Sequence, residues 1–185
     1  MSKALIVIDA QEDFTYGALG TVEAIEALPV ITKAVEYATD NDMKIYYTRD
    51  THDKSTYFQT QEGRNLPVEH CIKNTNGWRL CRDVLPRNFS DALIIEKKNF
   101  GTIRWNMLPE LQNYEEIWIC GFCTDICVMA NFQIIKVLFP EVSIVIIEDA
   151  CAGTTPETHK AALEVMRQCQ AKILSFDDAE LLDNK

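Results

Sequence analysis

A cysteine, a lysine and an aspartate that could together perform nucleophilic catalysis each follow a predicted strand. Asp9 follows the aliphatic run ALIVI, Lys97 follows ALIIE, and Cys127 follows the run IWIC and a turn. A free thiol has a pKa of about 8.5 and is mostly protonated at neutral pH. A carboxylate can accept its proton, and a lysine ammonium can stabilise the resulting anion. This combination predicts Asp9 as base, Lys97 as electrostatic partner and Cys127 as nucleophile.

Each of these residues also has an ordinary structural interpretation. Asp9 could cap a loop, and Lys97 could be a solvated charge, with Lys98 as the competing lysine. Cys127 could be a small buried hydrophobic residue, as most free cysteines are. The residue types favour a catalytic cysteine and leave these alternatives open.

Cys127 lies in the stretch IWICGFCTDICVMANF, which predicts a strand, a turn and a helix. Ile117–Cys120 is apolar and predicts a buried strand that ends at the following glycine. Thr124 or Asp125 could cap a helix that starts near Ile126. The unpaired N–H groups and the dipole of a helix N-terminus favour a thiolate, so we expect activation of Cys127 there.

A second group of polar residues follows the predicted strand KIYYT. Asp50 and His52 are two residues apart, which points both side chains the same way from an extended strand end. His70 could close a metal site with them, because carboxylates and imidazoles bind divalent metals. The alternative is that Asp50 pairs with Arg49 and that both histidines are ordinary loop residues. His159, on the last predicted helix, is interpreted as structural.

Apolar strands alternate with helical patterns along the chain. Continuous aliphatic runs are typical of a parallel sheet covered on both faces, so we predict a three-layer α/β/α sandwich with a mainly parallel sheet. In such a sheet, ligands bind beyond the carboxyl ends of the strands. The predicted strands are Ala4–Ile8, Lys44–Thr48, Ala92–Ile95, Ile117–Cys120, Val142–Ile147 and Lys172–Phe176. The predicted helices are Val22–Asn41 with Pro29 near its start, Met107–Gln112, the helix that carries Cys127, and Pro156–Gln170 after a threonine cap. Residues 53–90 predict a long ordered loop with short helical turns.

The composition limits the kinds of protein to consider. With 185 residues, 47% hydrophobic and 25% charged, the chain predicts one globular domain over residues 1–185. Its net charge of −10 opposes binding to nucleic acid or anionic lipid, and no apolar run approaches the roughly 20 residues that span a bilayer. The seven cysteines show no repeated metal-type pair, and the N-terminus lacks a signal-peptide pattern. These features predict reduced thiols in the cytoplasm.

Three segments resemble the motifs of the isochorismatase-like cysteine hydrolases, namely ALIVIDAQEDF, IIEKKNFGT and GFCTDICVMANF. They occur in that family's order and spacing and cover nearly the whole chain. The resemblance implies the isochorismatase-like hydrolase fold and a catalytic triad of Asp9, Lys97 and Cys127. It favours Lys97 over Lys98, because the family's lysine is followed three positions later by an aromatic residue, here Phe100.

The family also has a non-proline cis peptide, which in this chain would fall between Phe122 and Cys123. By the same resemblance, this link would direct the backbone N–H of Cys123 toward the substrate oxygen. With the N–H of Cys127 it would form an oxyanion hole.

Within the family, Asp50, His52 and His70 resemble the divalent-metal site of the nicotinamidases. There the metal lies beside the nucleophile and binds the pyridine nitrogen of nicotinamide, or waters bonded to it. Glu62 is a candidate additional ligand, directly or through water. The resemblance implies zinc as the expected cofactor, with iron and manganese as alternatives that suit the same ligands.

The match to nicotinamidases has gaps. Some of them have another histidine after the Asp-x-His pair, where this chain has Tyr57 and Phe58. Some have a tryptophan where this chain has Pro67. The candidate residues for the walls around a substrate ring are Phe14, Phe100, Tyr57 and Trp105.

The resemblance implies a cysteine amidohydrolase that converts nicotinamide to nicotinic acid and ammonia through a thioester on Cys127. The first alternative is another small-amide or ureido hydrolase, in which the Asp50 cluster is only structural. An isochorismatase, which cleaves a vinyl ether without a nucleophilic cysteine, is less expected. A catalytically silent interaction module is the alternative from another class, and the complete triad argues against it. Because family members commonly self-associate, we expect a homo-oligomer with a small amide as ligand.

Overall fold

Six parallel strands form one sheet in the part of the chain that the computed structural model describes, residues 2–86, 89 and 93–183. They are β1 (Lys3–Ile8), β2 (Lys44–Asp50), β3 (Leu93–Lys97), β4 (Glu116–Phe122), β5 (Ser143–Ala152) and β6 (Lys172–Leu174). Their order is β3-β2-β1-β4-β5-β6, and each neighbouring pair is parallel. Asp9 and the turn toward Cys127 therefore leave adjacent central strands at the same edge.

Helices cover both faces of the sheet, and the predicted three-layer α/β/α fold is confirmed. They are α1 (Glu12–Thr15), α2 (Val22–Asp40), α3 (Gln61–Asn65), α4 (Met129–Leu138), α5 (Pro156–Gln168) and α6 (Phe176–Asp183). Short 3₁₀ helices span Tyr57–Gln59, Arg82–Val84, Ile103–Met107 and Pro109–Asn113, and a π-helical turn spans Thr124–Val128. On one face, Tyr37 of α2 stacks on Trp118 at 5.6 Å and meets Phe176 of α6 edge-on at 6.0 Å.

The aliphatic run in β1 forms the centre of the core. Ala4–Ile8 is 0% exposed at every position, because β2 and β4 flank this strand and helices cover it. Full burial of an aliphatic side chain stabilises the fold by about 1.5–3 kcal/mol. The residue after this run, Asp9, is thus held by a rigid strand.

Gly121 lies inside β4 and does not end that strand as predicted. Its φ is +116°, and a Cβ there would lie 2.0 Å from the carbonyl oxygen of Ile8. The close passage of β1 requires a glycine at this position. The strand continues to Phe122, and the peptide bond between Phe122 and Cys123 is cis.

Pro29 lies inside α2 and not near its start. The helix is capped by Thr21, whose side chain accepts a hydrogen bond from the Ala24 N–H at 3.1 Å. A proline inside a helix costs about 3 kcal/mol because it removes a hydrogen bond and crowds the preceding turn. Burial of the face that carries Leu28 and Ile31 offsets this cost, which explains why the helix continues.

Several other boundaries differ from the predictions. β5 continues through Ala152, because the ladder to β4 shifts register and resumes at Cys151. β6 ends at Leu174, and Phe176 begins α6 with its N–H donating to Asp149 Oδ1 at 2.8 Å. The predicted helix Met107–Gln112 is divided between two 3₁₀ helices, the second of which begins at Pro109. Ala92, the predicted first residue of β3, lies outside the described residues.

No helix in the described part of the chain is both long and apolar enough to cross a membrane. All seven cysteines lie in that part, and all are free thiols. Cys127 is therefore available for chemistry without reduction of a disulfide.

Candidate active site

Lys97 lies between Asp9 and Cys127. Its Nζ is 2.7 Å from Asp9 Oδ2 and 3.5 Å from Cys127 Sγ, and it donates a hydrogen bond to the carbonyl of Asn99 at 3.0 Å. Asp9, Lys97 and Cys127 are only 0%, 3% and 6% exposed, whereas Lys98 is exposed to solvent. The structure thus brings the three predicted catalytic residues together at the carboxyl edge of the sheet, with Lys97 and not Lys98 among them.

Asp9 is held by Thr48, a residue that the sequence did not single out. The Thr48 hydroxyl donates to Asp9 Oδ1 at 2.7 Å and accepts from the Asp9 N–H at 3.1 Å. Asp9 has a φ of +47°, a left-handed value that turns its side chain out of the direction of β1. Asp9 Oδ2 makes the ion pair with Lys97 and has no hydrogen bond from another described group. One carboxylate oxygen is therefore fixed, while the other faces the lysine.

Cys127 lies in the π-helical turn that precedes α4. The predicted caps do not close this turn: the Thr124 hydroxyl bonds His159 Nδ1 at 2.8 Å, and Asp125 Oδ1 accepts from the Thr154 N–H at 2.9 Å. Instead, the carbonyl of Cys123 accepts hydrogen bonds from the N–H groups of the two residues that flank Cys127. They are Ile126, at 3.1 Å, and Val128, at 3.0 Å. Such single π turns are frequent at functional sites.

Burial governs the protonation of the three groups, because charge is costly away from water. It raises the pKa of the Cys127 thiol well above its ordinary value, although the Lys97 charge opposes the shift. It also raises the pKa of Asp9, again against Lys97. Burial alone would lower the pKa of Lys97, but Asp9 and its other neighbours raise it well above the usual value. Burial thus favours the thiol form of Cys127, whereas the helix dipole favours the thiolate, and the neighbours of Lys97 favour its charged form.

Asp50, His52, Glu62 and His70 form a second cluster, in which one ligand atom from each lies within 4.8 Å of the others. His52 Nε2 is 2.9 Å from Asp50 Oδ2, and His70 Nε2 is 3.4 Å from Glu62 Oε1. Two imidazoles and two carboxylates are a donor set that suits zinc, iron or manganese. The structure therefore brings together all four residues predicted as metal ligands.

The surroundings of His70 test whether this cluster fits a cation. Its Nδ1 lies 2.9 Å from the carbonyl of Val68, an acceptor that requires the proton on Nδ1. This tautomer leaves a lone pair on Nε2, which faces Asp50 and Glu62. A histidine fixed through its other nitrogen in this way is the usual arrangement of a metal ligand, so the residues present fit a divalent metal.

Gln11 holds Asp50 in place through the backbone. Its side-chain oxygen accepts from the Asp50 N–H at 2.7 Å, and its side-chain nitrogen donates to the carbonyls of Asp50 at 3.0 Å and Trp78 at 2.9 Å. Gln11 is 0% exposed. The sequence did not single out Gln11, because its burial and its long-range contact with Asp50 appear only in the folded chain.

A cavity of about 600 Å³ connects Cys127 with the candidate metal-binding residues Asp50, Glu62 and His70. Its lining residues are Phe14, Leu19, Thr21, Asp50, Gln61, Glu62, Asn65, Leu66, His70, Asn99, Phe100, Cys123, Ile126, Cys127 and Thr154. A small ligand in it would contact the thiol and the cluster at once. Among the described residues of the lining, none is a lysine or an arginine.

The four aromatic residues predicted to surround a substrate ring have different positions. Phe14 and Phe100 line the cavity. Tyr57 does not: it is buried beside the cluster, and its hydroxyl lies 3.1 Å from His70 Nδ1. Trp105 is also absent from the lining and donates its indole N–H to Asn131 at 2.8 Å. Aliphatic residues that the sequence did not single out, Leu19, Leu66 and Ile126, supply the remaining apolar wall.

The chain is similar to known proteins over nearly its whole length. A model of the isochorismatase domain matches residues 3–178. The chain is 26% identical to a nicotinamidase of Schizosaccharomyces pombe, over 95% of this chain and 94% of the relative. It is also 26% identical to a probable inactive nicotinamidase of Arabidopsis thaliana, over 91% and 90% of the two chains.

A solved structure extends the comparison. The pyrazinamidase of Pyrococcus horikoshii in complex with zinc superposes with a TM-score of 0.81 at 27% identity, covering 95% of this chain and 99% of that chain. Both chains therefore share the fold over almost their full length.

Proposed function

The chain belongs to the isochorismatase domain family, and from this membership we propose that it is a nicotinamidase that hydrolyses nicotinamide to nicotinic acid and ammonia. One observation carries the proposal: Lys97 Nζ contacts both Asp9 and Cys127, and the same cavity reaches the cluster of Asp50 and its partners. The similarity to the nicotinamidase of Schizosaccharomyces pombe supports it. Nicotinic acid is a precursor of NAD, so the reaction would serve NAD salvage in the cytoplasm.

The first step is acylation of Cys127. Asp9 takes the thiol proton, and the sulfur attacks the carboxamide carbon to form a C–S bond. Burial raises the pKa of Asp9, which makes its carboxylate a stronger base for the thiol proton. Lys97 remains a cation and stabilises the charge that develops on the sulfur.

The tetrahedral intermediate carries a negative oxygen that needs hydrogen-bond donors. We assign this role to the backbone N–H groups of Cys123 and Cys127, both of which belong to residues that line the cavity. When the intermediate collapses, the C–N bond breaks and Asp9 passes its proton to the leaving nitrogen, which departs as ammonia. The product on the enzyme is a thioester.

The second step is hydrolysis of this thioester. Asp9, again a carboxylate, takes a proton from water while the water oxygen attacks the acyl carbon. The C–S bond breaks, nicotinic acid is released, and the proton returns to Cys127. The balance is one water consumed and one ammonia released for each nicotinamide.

Asp50, His52, Glu62 and His70 would hold a divalent metal, for which we propose zinc. When bound, the metal would provide a Lewis acid for the pyridine nitrogen, or for water bonded to it, and so orient the ring. Phe14 and Phe100 provide apolar contacts for the ring faces.

The charge of the cavity supports a neutral substrate. The described lining contains no lysine or arginine, and Lys97 is already paired with Asp9. No side-chain cation of the described lining could pair with a substrate carboxylate, such as that of a ureido acid or isochorismate, and the two charges of the proposed metal would already be balanced by Asp50 and Glu62. This observation favours an uncharged amide over the alternative substrates of the family.

The test is release of ammonia and nicotinic acid from nicotinamide by the metal-loaded chain, compared with Cys127→Ala and with Cys169→Ala as a matched control. Cys169 is a half-buried thiol outside the cavity lining. We expect turnover in the parent and in Cys169→Ala, and none in Cys127→Ala. A parent protein that carries metal and releases no ammonia would contradict the proposed nicotinamidase activity and leave only the family membership standing.

A further inference from the structure

Asn131 on α4 is a fully buried asparagine with every side-chain hydrogen-bonding group in use. Its Nδ2 donates to the carbonyl of Cys127 at 2.7 Å and to that of Phe100 at 3.1 Å. Its Oδ1 accepts from the indole N–H of Trp105 at 2.8 Å and from the N–H of Thr102 at 3.3 Å. The residue is 0% exposed, so each of these bonds forms away from water.

These partners fix the orientation of the amide. Two carbonyls face the nitrogen and two N–H groups face the oxygen, so a rotated amide would lose all four bonds. A buried network of this kind is rigid because each unmade bond would cost a full desolvation penalty. The Asn131 side chain therefore defines the separation between its partners.

The partners belong to two different parts of the proposed active site. Cys127 is the nucleophile, and Phe100 belongs to the loop of residues 98–102, between β3 and the 3₁₀ helix Ile103–Met107. That loop also supplies the carbonyl of Asn99, which accepts from Lys97 Nζ at 3.0 Å. Phe100 is 47% exposed and is one wall of the cavity, so its own side chain does not anchor it.

The loop lies tightly on α4. A Cβ at Gly101 would lie 2.7 Å from Ile134 Cδ1 and 3.3 Å from Ala130 Cβ. The absence of a side chain at Gly101 lets the loop approach closely enough for the Asn131 amide to reach the Phe100 carbonyl. Packing and hydrogen bonding thus join this loop to the helix of the nucleophile.

We propose that Asn131 is a positioning residue that sets the distance between the Cys127 nucleophile and the Phe100 wall. This inference rests on the proposed function for the role of Cys127 as nucleophile. Asn131 touches no substrate. It acts by aligning the thiol, the carbonyl that orients Lys97, and the wall against which the substrate ring lies, and misalignment by about 1 Å can cost a hundredfold in rate.

Two variants test the proposal. Asn131→Asp keeps the shape and the acceptor for Trp105, but places a second oxygen against the carbonyls of Cys127 and Phe100, so those two links are broken. Asn131→Leu removes all four hydrogen bonds without adding charge. It tests the same proposal if the aspartate variant does not fold. Leu111→Ala is the control, because Leu111 is fully buried and lies outside the cavity lining. Its truncation should lower the stability of the fold without changing the active site.

Two rates are measured at a temperature where each variant is folded: kcat for nicotinamide, and alkylation of Cys127 by iodoacetamide, resolved by peptide mass spectrometry. We expect kcat to fall about tenfold or more in the Asn131 variants. Alkylation should slow by about fivefold, because the thiol is no longer held beside Lys97. Leu111→Ala should keep both rates within about twofold.

Unchanged rates in a folded Asn131 variant, with stability lowered as in Leu111→Ala, would overturn the proposal and leave Asn131 a purely structural residue. Failure of the parent to hydrolyse nicotinamide would instead reject the proposed function. The alkylation rates do not depend on the substrate, so they still test the position of Cys127 in that event.

Discussion

Asp50 and Lys97 are direct neighbours in the register of β2 and β3, and Lys97 Nζ lies 3.4 Å from Asp50 Oδ1. The other carboxylate oxygen of Asp50 lies 2.9 Å from His52 Nε2. One side chain thus joins the proposed catalytic triad to the proposed metal site. Burial alone would raise the pKa of Asp50, but Lys97 and His52 keep it below the usual range, so the carboxylate is ionised.

Replacement of Asp50 by Asn should disturb both halves of the site. We expect metal content to fall and kcat/KM to drop about a hundredfold or more, because one oxygen belongs to the proposed metal site and the other pairs with Lys97. His52→Ala removes a proposed metal ligand and the contact with Asp50 Oδ2 but keeps the contact between Asp50 Oδ1 and Lys97, so it is the matched control. Metal analysis and alkylation of Cys127 distinguish them: both variants should lose metal, but only Asp50→Asn should change the alkylation rate. Equal alkylation rates would contradict the link.

Chelation of the metal should weaken substrate binding more than it weakens the fold. The cluster lies at the carboxyl edge of the sheet, whereas the core strands are held by their own burial, so we expect a rise in KM of about tenfold or more with little change in Tm. Steady-state kinetics and thermal unfolding before and after chelation test this, with addition of zinc, iron or manganese as the restoring control. A normal KM in metal-free protein would reject the metal's role in binding.

Thr48→Val should lower kcat although Thr48 lies outside the cavity lining. The substitution preserves shape and removes both hydrogen bonds to Asp9, so the base is no longer fixed. We expect a loss of about tenfold in kcat and of about 1–3 kcal/mol in the free energy of unfolding. Thr32→Val is the control, since its hydroxyl bonds only the Leu28 carbonyl within α2. An unchanged kcat in Thr48→Val would show that the strand alone orients Asp9.

Tyr37 should make stability depend on alkaline pH. Its hydroxyl donates to Asp183 Oδ2 at 2.9 Å, and burial with this carboxylate raises the pKa of Tyr37 to about 12. The unfolded pKa is about 10. Because its pKa is higher in the folded state, the Tyr37 hydroxyl contributes its full stability below about pH 10. This contribution is lost as the pH rises toward about 12.

Tyr37→Phe should therefore be about 1 kcal/mol less stable than the parent at pH 8, and this difference should shrink between about pH 10 and 12. Urea unfolding followed by circular dichroism at several pH values measures it. A stability difference that stays constant over this pH range would mean that the hydroxyl is not perturbed by folding.

The local sequence was sufficient to predict the strands and the functional residues that follow them. The run Ala4–Ile8 and the residues before Cys120 are apolar without polar alternation, and that pattern depends only on near neighbours. The carboxyl ends of parallel strands meet at one edge, so the grouping of Asp9, Lys97 and Cys127 followed from the order of the elements. The motifs added the choice of Lys97 over Lys98.

The sequence by itself thus determined the layered fold and which ionisable groups share one edge, because both follow from periodicity and chain order. Only the tertiary structure decided which uncharged residues hold them. Thr48 and Gln11 act through partners at least 39 positions away, and Asn131 joins Cys127 on its own side of the site to Phe100, 31 positions away. It also decided that Phe100 lines the cavity while Trp105 does not. The sequence does not distinguish an aromatic residue that lines a cavity from one that is buried in the core, because packing in three dimensions sets that difference.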